Sequence, residues 1–336
     1  MIWRLAGAAC AALVSAVTLR AVGRRTAERL LTAPRVGPDE GGLTSQLDAL
    51  GGEVIRFRSR DGLRLAGRWL PADHEDASWT TDPHEAILLL HGYTGSIAPD
   101  LVEYGPFLRR TANVLGIDFR GHGDSDPGPS TFGMLEVEDV AGALAWLGER
   151  GVARVAVMGT SMGGMAAIAS VAILGDGSLP AADMDPSPTH APVDAPRPAI
   201  VAVVADSTPP EAAIPVARRM RTPFRQFLAA RLFDAAARRL GADPRETEPG
   251  RVIGLVEPVP LLLIHGDADT TVPIADGRRL AGLAGPSAEL WVVSGADHSR
   301  AHATAGQDYE RKVVDFLRVA FRRSREDDLR NQGRDL

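Results

Sequence analysis

The sequence has almost no lysine and almost no cysteine, and the shortage of cysteine excludes two classes of site. Among its 336 residues, Lys312 is the single lysine and Cys10 the single cysteine. One cysteine forms neither an intramolecular disulfide nor a cysteine-rich metal site, so Cys10, within an apolar segment, is interpreted as a small hydrophobic residue. The net charge is −6, so the chain lacks the basic surplus of a nucleic-acid-binding protein. We predict no nucleic-acid partner and, since His74, Asp82 and His84 lack metal-ligand spacing, no metal.

The N-terminal segment is interpreted as a membrane anchor. Residues 2–19 are apolar apart from Arg4 and a few hydroxyl-bearing side chains, which is close to the roughly 17–20 residues that a spanning helix needs. Arginines follow at once, which disfavours cleavage and predicts a cytoplasmic catalytic domain by the positive-inside tendency. Two alternatives stay open: a signal peptide cleaved after Val14-Ser15-Ala16, with an exported or secreted domain, and a soluble amphipathic helix. The arginines are Arg20, Arg24, Arg25 and Arg29.

Composition divides the chain into four parts. Residues 1–31 form the anchor or signal segment, residues 32–52 a linker rich in Gly, Pro and polar residues, and residues 324–336 a polar tail. The folded domain is expected over residues 53–323, and 45% hydrophobic with 24% charged residues is an ordinary globular composition. Because the catalytic motifs described below all lie beyond residue 53, a chain that starts near residue 35 is expected to be soluble and active.

Short apolar runs alternate with helical patterns from residue 53 onward. The first two runs, joined by the turn Arg60-Asp61-Gly62, indicate an antiparallel hairpin at a sheet edge. The later runs are wholly apolar and are separated by helices, which predicts an α/β fold with a mostly parallel eight-stranded sheet and helices on both faces. The predicted strands are 54–58, 65–70, 87–90, 114–118, 155–158, 200–204, 261–264 and 290–293, and the predicted helices are 100–110, 135–150, 162–174, 275–283 and 309–323.

Two stretches interrupt this alternation. Residues 175–198 are rich in Pro and Asp without periodicity, and they are interpreted as a flexible surface insertion. Residues 207–250 lie between two core strands where a short crossover would suffice, and the run 224–240 carries an apolar stripe at helical spacing. We therefore predict a small helical cap over about residues 207–250.

A serine stands at a predicted strand-to-helix turn in Gly159-Thr160-Ser161-Met162-Gly163-Gly164. This position after a strand and before a helix is the context that makes the G-x-S-x-G pattern indicative of a nucleophile. The glycines let neighbouring backbone approach closely, and the helix directs its N-terminal amides and dipole at the negative charge that develops during acyl transfer. We therefore predict Ser161 as the nucleophile.

A second loop follows the third predicted strand, at His91-Gly92-Tyr93-Thr94-Gly95-Ser96. An acyl-transfer site needs two N–H donors for the oxyanion, one from the residue after the nucleophile and one from this loop. The predicted donors are the backbone amides of Met162 and Tyr93. His91 is interpreted as a residue that braces the loop through hydrogen bonds, and a catalytic base is the alternative interpretation.

The seventh and eighth predicted strands each end in a loop with ionisable residues. Asp267 and Asp269 follow the seventh strand and His298 follows the eighth, so the chain order is serine, acid, histidine. This order differs from the orders in chymotrypsin and subtilisin, and open α/β sheets place their sites at these carboxyl ends. Asp206, after the sixth strand, is a third candidate acid. We predict Asp269 as the acid and His298 as the base, because Asp267 adjoins the strand end, where Asp tends to bond the turn's own amides.

These motifs together resemble the α/β-hydrolase superfamily, in the broad group of monoglyceride-lipase-like hydrolases, BEM46-like proteins and serine aminopeptidases of family S33. The resemblance covers residues 53 to about 322 and implies an α/β-hydrolase fold. Its His-Gly-x-x-Asp spacing selects Asp269, and it implies a structural role for His122. The motifs that carry it are His91-Gly92-Tyr93-Thr94-Gly95-Ser96, Asp118-Phe119-Arg120-Gly121-His122-Gly123-Asp124-Ser125, Gly159-Thr160-Ser161-Met162-Gly163-Gly164, His265-Gly266-Asp267-Ala268-Asp269-Thr270-Thr271-Val272-Pro273 and Gly295-Ala296-Asp297-His298.

The predicted activity is hydrolysis of an acyl ester, small or lipid-derived, near a membrane and without a cofactor. His298 takes the proton of Ser161, the two amides hold the oxyanion, and Asp269 orients the imidazole. A peptidase or amidase of the S33 kind is the alternative, and a peptidase needs an acidic anchor for a free amino terminus, which Asp206 or Glu211 could supply. A non-catalytic binding protein of this fold is the third hypothesis, and no obligate protein partner is indicated.

Overall fold

An eight-stranded sheet forms the centre of the protein. The computed structural model describes residues 25–32, 43–73, 79–93, 95–174 and 197–332. All eight predicted strands are present, with small shifts at their ends. They are β1 (Glu53–Arg58), β2 (Arg64–Leu70), β3 (Glu85–Leu90), β4 (Asn113–Ile117), β5 (Arg154–Thr160), β6 (Ala199–Asp206), β7 (Leu261–Gly266) and β8 (Ala288–Val293).

The strand order across the sheet is β1-β2-β4-β3-β5-β6-β7-β8. β2 pairs antiparallel with both β1 and β4, whereas the remaining neighbours are parallel. The predicted edge hairpin is therefore confirmed, with Phe57 opposite Leu65 in its register. From β3 to β8 the carboxyl ends of the strands lie at one edge of the sheet, and this edge carries the loops with the predicted catalytic residues.

Helices cover both faces of the sheet, as predicted. The residues 25–31 form a helix, called α1 here. The helices that follow are α2 (Leu43–Leu50), α3 (Ala98–Leu108), α4 (Glu136–Glu149), α5 (Met162–Leu174), α6 (Ala213–Arg219), α7 (Arg225–Leu240), α8 (Pro249–Val252), α9 (Ile274–Leu283), α10 (Ala301–Ala305) and α11 (Gln307–Gln332), with short 3-10 helices at Pro244–Thr247 and Ile253–Leu255.

The core consists of two apolar layers, one on each side of the sheet. Successive residues of β3 alternate between them: Leu88 and Leu90 join the layer that includes α4 and α5, and Ile87 and Leu89 join the layer that includes α3 and α11. All residues of β3 are buried, as expected for a strand covered on both faces. Each large aliphatic side chain buried in this way contributes about 1.5–3 kcal/mol, so the central strands hold the site-bearing edge in place.

The predicted linker over residues 32–52 contains a helix, which corrects the prediction. Leu47 and Leu50 of α2 pack against the core layer on the α3 side. Arg68 of β2 donates to the carbonyl oxygens of Leu47 and Gly51, both at 2.9 Å. These bonds satisfy carbonyls at the helix end that have no partner within the helix, and for this reason α2 forms against the domain.

Helix α11 continues to Gln332 and so includes most of the predicted polar tail, residues 324–336. Ion pairs with the opposite edge of the sheet support the extension. Arg325 lies 3.6 Å from Glu85, and Asp328 lies 2.6 Å from Arg154. A helix end can therefore form without an apolar stripe, because its charged side chains find partners on the domain.

Helices α6, α7 and α8 lie between β6 and β7, over the residues of the predicted cap. Residues 1–24 of the predicted anchor or signal segment, residues 1–31, and residues 175–196 of the predicted insertion lie outside the described residues; residues 25–31 of that segment form α1. Within the ranges that the structure describes, no helix combines the length and the apolar character needed to cross a membrane.

Candidate active site

Ser161 lies at a sharp turn between β5 and α5. Its backbone φ is 55°, in the left-handed region that non-glycine residues rarely adopt. A Cβ atom at Gly159 would overlap the backbone of Gly163, and a Cβ atom at Gly163 would overlap the carbonyl group of Leu90. The turn therefore requires glycine at both positions, and it presents the Ser161 hydroxyl at the N-terminus of α5.

His298 connects Ser161 to Asp269. Its Nε2 lies 3.0 Å from Ser161 Oγ, and its Nδ1 lies 2.8 Å from Asp269 Oδ2. Because an ionised carboxylate only accepts hydrogen bonds, Nδ1 carries the imidazole proton and Nε2 accepts from the serine hydroxyl. The structure thus brings the three predicted triad residues together, in the arrangement that lets the imidazole take a proton from the serine.

Asp269 is held by its own loop. Its Oδ1 accepts the backbone amides of Thr271 at 2.8 Å and Val272 at 2.7 Å, so Oδ2 is left to face His298. The carboxylate is fully buried, whereas the His298 side chain is 19% exposed. Burial shields the carboxylate–imidazole bond from water, and the remaining exposure leaves the imidazole accessible from the pocket.

The two other candidate acids have different partners. Asp267 accepts the amide of Gly295 at 2.6 Å and so ties the β7 loop to the β8 loop. Asp206 accepts the hydroxyl groups of Tyr309 and Ser207, both at 2.9 Å. Burial raises the pKa of Asp206 to about 6. Of the three acids, Asp269 is the one bonded to His298, and Asp267 bonds a neighbouring loop rather than amides of its own turn.

The two predicted oxyanion donors lie on either side of Ser161. Met162 is the first residue of α5, so its amide has no partner within the helix. On the other side, a Cβ atom built at Gly92 would lie 3.9 Å from Ser161 Cβ, so the loop that carries Tyr93 runs directly beside the nucleophile turn. This placement suits the predicted role of the Tyr93 and Met162 amides.

The two loop histidines brace the backbone. His91 Nε2 accepts the amide of Phe119 at 3.1 Å, and His122 Nε2 lies 2.8 Å from the carbonyl oxygen of Tyr93. Burial lowers the pKa of His91 to about 3, so its imidazole stays neutral. Arg120 of the same loop is buried and pairs with Asp139 at 2.7 Å. These contacts fit the structural interpretation of both histidines.

A narrow pocket opens above Ser161 and His298. Most of the residues that line this pocket are not predicted from the sequence. Residues of the cap could have been suspected from their position between β6 and β7, but nothing in the pattern pointed to Phe132, at φ 59°, or to Leu30 of α1. The lining residues are Leu30, Tyr93, Phe132, Ser161, Met162, Met165, Pro209, Pro215, Val216, Arg219, Thr271 and His298. In the described part of the chain, no cluster of three or more His, Cys, Asp or Glu side chains could hold a metal ion.

The fold and the serine–histidine–aspartate geometry define a protein of the α/β-hydrolase class. The sequence profile described as "Alpha/beta hydrolase family" matches residues 87–312. The chain therefore belongs to this family, and the coarse prediction of a hydrolase is confirmed. Nothing finer about the substrate follows from the match itself.

Individual proteins resemble this chain over most of their length. The protein YfhR of Escherichia coli (strain K12) is 27% identical over 278 residues, which cover 82% of this chain and 83% of YfhR. Among solved structures, the Pyrococcus furiosus esterase Pf2001 has a TM-score of 0.60 at 23% identity, covering 87% of this chain and 98% of the esterase. A Pseudomonas aeruginosa hydrolase has a TM-score of 0.52 at 21% identity, covering 80% and 99%. At these identities the structural likenesses support the fold alone.

Proposed function

We propose that the protein is a serine hydrolase that cleaves a carboxylic ester through an acyl-enzyme on Ser161. The observation that carries the proposal is the continuous chain of hydrogen bonds from Ser161 Oγ through His298 to Asp269, at 3.0 and 2.8 Å. A serine hydroxyl is a weak nucleophile until a base takes its proton, and this arrangement supplies the base.

The first half of the reaction forms the acyl-enzyme. His298 Nε2 takes the hydroxyl proton as Ser161 Oγ attacks the ester carbonyl carbon. The carbonyl oxygen becomes an oxyanion beside the amides of Tyr93 and Met162, which donate to it. His298 then gives the proton to the departing alkoxide, while Asp269 stabilises the imidazolium and holds its orientation.

Water completes the cycle. It enters the position that the alcohol has left, and His298 takes one of its protons as the oxygen attacks the acyl carbon. The same two amides hold the second oxyanion, which collapses to release the carboxylic acid as His298 returns its proton to Ser161 Oγ. Each step uses groups of the chain itself.

The pocket walls favour an apolar acyl group. Aliphatic, aromatic and proline side chains make up most of the lining, among them Leu30, Phe132, Met165 and Val216. The cap also exposes apolar side chains, with Phe224 at 69% and Phe227 at 65% of their surface. Neighbouring exposed apolar side chains that form one patch mark contact surfaces for apolar ligands or membranes, and we include Phe224 and Phe227 in such a surface. We propose a small or lipid-derived acyl ester as the substrate class.

The peptidase alternative lacks its expected acidic anchor. Asp206 is fully buried and bonded to Tyr309 and Ser207, and Glu211 pairs with Arg279 at 2.8 Å. Within the described residues, no carboxylate lines the pocket. Its charged side chain outside the triad is that of Arg219, which repels the ammonium group of a peptide amino terminus. These contacts favour the esterase over an aminopeptidase.

The membrane attachment that the sequence predicts for residues 1–31 is a further part of the proposal. An apolar acyl ester partitions into the bilayer, so an enzyme held at its surface meets the substrate at a higher local concentration. The support for this part is the apolar composition of residues 2–19 and the arginines that follow.

Paired substrates test the proposed reaction. We expect turnover of p-nitrophenyl esters in a series from acetate to decanoate, and no turnover of the p-nitroanilides of the same acids or of amino acids. Ser161→Ala is the matched control and should abolish ester turnover. Cleavage of amino-acid anilides in preference to the esters would overturn the assignment in favour of a peptidase or amidase.

A further inference from the structure

Helix α1 lies against the candidate active site, although it belongs to residues 1–31, the predicted anchor or signal segment. Leu30 forms part of the pocket wall together with Ser161 and His298. Ala27 and Leu31 are 1% and 5% exposed, so the helix buries one face against the domain. An apolar side chain at the wall of an acyl pocket is in a position to determine how much of the acyl chain the pocket accepts.

The carbonyl groups at the end of α1 accept hydrogen bonds from the domain. The hydroxyl of Tyr93 donates to the carbonyl oxygen of Leu30 at 2.7 Å, and the amide of Ser130 donates to the carbonyl oxygen of Leu31 at 2.7 Å. The last carbonyls of a helix have no partner within it. The domain supplies these partners, so α1 ends where it does because of contacts with the pocket loops.

These contacts join three separate parts of the site. Tyr93 lies on the loop that carries the proposed oxyanion donor, and its ring stacks on Phe132 at 4.9 Å between centroids. Phe132 in turn contacts Phe233 of the cap at 5.9 Å. Glu28 of α1 lies 3.6 Å from Arg239, also in the cap. Helix α1 therefore fastens the oxyanion loop, the loop around residue 132 and the cap to one another.

We propose that residues 25–31 are a structural part of the active site: the Leu30 side chain limits the length of the acyl group, and the Leu30 carbonyl, through the Tyr93 hydroxyl, positions the amide of Tyr93 for the oxyanion. This inference rests on the proposed esterase activity. Leu30 is thus a specificity-determining residue, and the Tyr93 hydroxyl is a positioning group rather than a catalytic one.

The arrangement also changes the expectation for shortened chains. The sequence motifs alone predict that a chain starting near residue 35 is active, because every one of them lies beyond residue 53. Such a chain lacks one wall of the pocket and the acceptor for Tyr93. When catalytic groups are displaced by a fraction of an ångström, the enzyme loses rate although the protein stays folded. The shortest fully active chain therefore includes residues 25–31, although these residues carry none of the sequence motifs.

The test uses the full chain with substitutions at Leu30. Leu30→Trp should reduce kcat/KM for p-nitrophenyl octanoate about tenfold more than for the acetate, because the larger side chain occupies space that the long acyl group needs. Leu30→Ala should shift the preference towards longer chains. Leu228→Trp is the matched control, since Leu228 is 43% exposed on α7 and outside the pocket. The octanoate-to-acetate ratio is independent of how much protein is folded.

A second variant tests the positioning role. Tyr93→Phe keeps the ring that stacks on Phe132 and removes only the bond to Leu30. We expect kcat to fall about five- to tenfold for every ester of the series, with little change in KM, because the oxyanion is affected more than the bound ester.

The outcomes separate this inference from the proposed function. If the wild-type chain neither turns over esters nor reacts with a fluorophosphonate at Ser161, the proposed function fails. If the wild-type chain does both, an unchanged chain-length ratio in Leu30→Trp and Leu30→Ala would overturn the role of Leu30. An unchanged kcat in Tyr93→Phe would overturn the positioning role.

Discussion

Ser207 Oγ accepts the backbone amide of Ser299 at 3.0 Å, which fastens the end of β6 to the residue that follows His298. Both serines have positive φ, 51° and 55°, so the two turns need such contacts to stay in place. Ser207 Oγ also donates to Asp206 Oδ1 at 2.9 Å. Hydrogen bonds through Ser207 therefore connect the buried Asp206 to the backbone of the His298 loop, and neither of these bonds involves the imidazole.

The different partners of Asp269, Asp206 and Asp267 predict that their Asn variants lower kcat to different extents. Asp269→Asn should lower kcat by on the order of 10⁴-fold, because the amide favours the wrong imidazole tautomer. Asp206→Asn and Asp267→Asn should each cost about tenfold, because they disturb loop positions only. The measurement is kcat with a p-nitrophenyl ester for purified variants of equal helical content. An inactive Asp206→Asn variant beside an active Asp269→Asn variant would move the triad acid to β6.

Ser207→Ala isolates the contact with the His298 loop. Loss of one hydrogen bond to the Ser299 amide should lower kcat by about three- to tenfold and leave KM nearly unchanged. Ser170→Ala is the control, because the Ser170 hydroxyl is buried in α5 without a hydrogen-bond partner among the described residues. Equal kcat values for the two variants would show that the Ser207 contact does not position His298.

We expect the free energy of unfolding to depend on pH because the Glu85 carboxylate is buried. This carboxylate has no hydrogen-bond partner in the described part of the chain, and burial raises its pKa to about 7 from 4.5. Between pH 4.5 and 7 the folded chain holds a proton that the unfolded chain has released. The free energy of unfolding contributed by Glu85 therefore falls as the pH rises through this window and is constant above it.

Glutamine at position 85 resembles the protonated carboxyl and cannot titrate. The melting temperatures of Glu85→Gln and the wild type should be similar near pH 4.5, and the variant should be the more stable at pH 8, by on the order of 2 kcal/mol. The gain stays below the full effect of the pKa shift because Arg325 and Arg154, at 3.6 and 3.9 Å, lose their anionic neighbour. If the difference in melting temperature between Glu85→Gln and the wild type is the same at every pH from 4.5 to 8, Glu85 does not have this role.

The predicted anchor concerns residues outside the described ranges. We expect the full-length protein to sediment with membranes and to resist protease added to spheroplasts, because the arginines after residue 19 favour a cytoplasmic domain. Immunoblotting of fractions and of treated spheroplasts measures both properties. Digestion of the domain from outside would reverse the orientation, and recovery in the soluble fraction would remove the anchor.

The placement of the three candidate triad residues could be predicted from sequence, because parallel strands bring their carboxyl ends to one edge. Ser161, Asp269 and His298 each follow such a strand, so position along the chain was enough to place them near one another. The lengths of the hydrogen bonds that join Ser161, His298 and Asp269 cannot be predicted from sequence. The loops that carry these residues are short, however, and leave few other ways to place the three side chains.

The N-terminal contacts were missed for a different reason. Leu43, Leu47 and Leu50 recur at helical spacing, and so do Ala27, Leu30 and Leu31. Both helical spacings lie in stretches that are otherwise rich in Gly, Pro or Arg. The average composition of these stretches indicates a linker or an anchor, so it conceals the short helices. The contact between Leu30 and Tyr93 spans 63 residues of sequence and follows no periodic pattern, so only the folded arrangement reveals it.

Covalent labelling at Ser161 is the most direct test of the proposed chemistry. A fluorophosphonate reacts with a serine that is activated by a base, and mass spectrometry after digestion identifies the modified peptide. We expect one adduct per wild-type chain, on the peptide that contains Ser161. Ser161→Ala should take no adduct and hydrolyse no ester, although its melting temperature stays close to that of the wild type. An adduct on another serine, or ester turnover by Ser161→Ala at the wild-type rate, would contradict the assignment of Ser161 as the nucleophile.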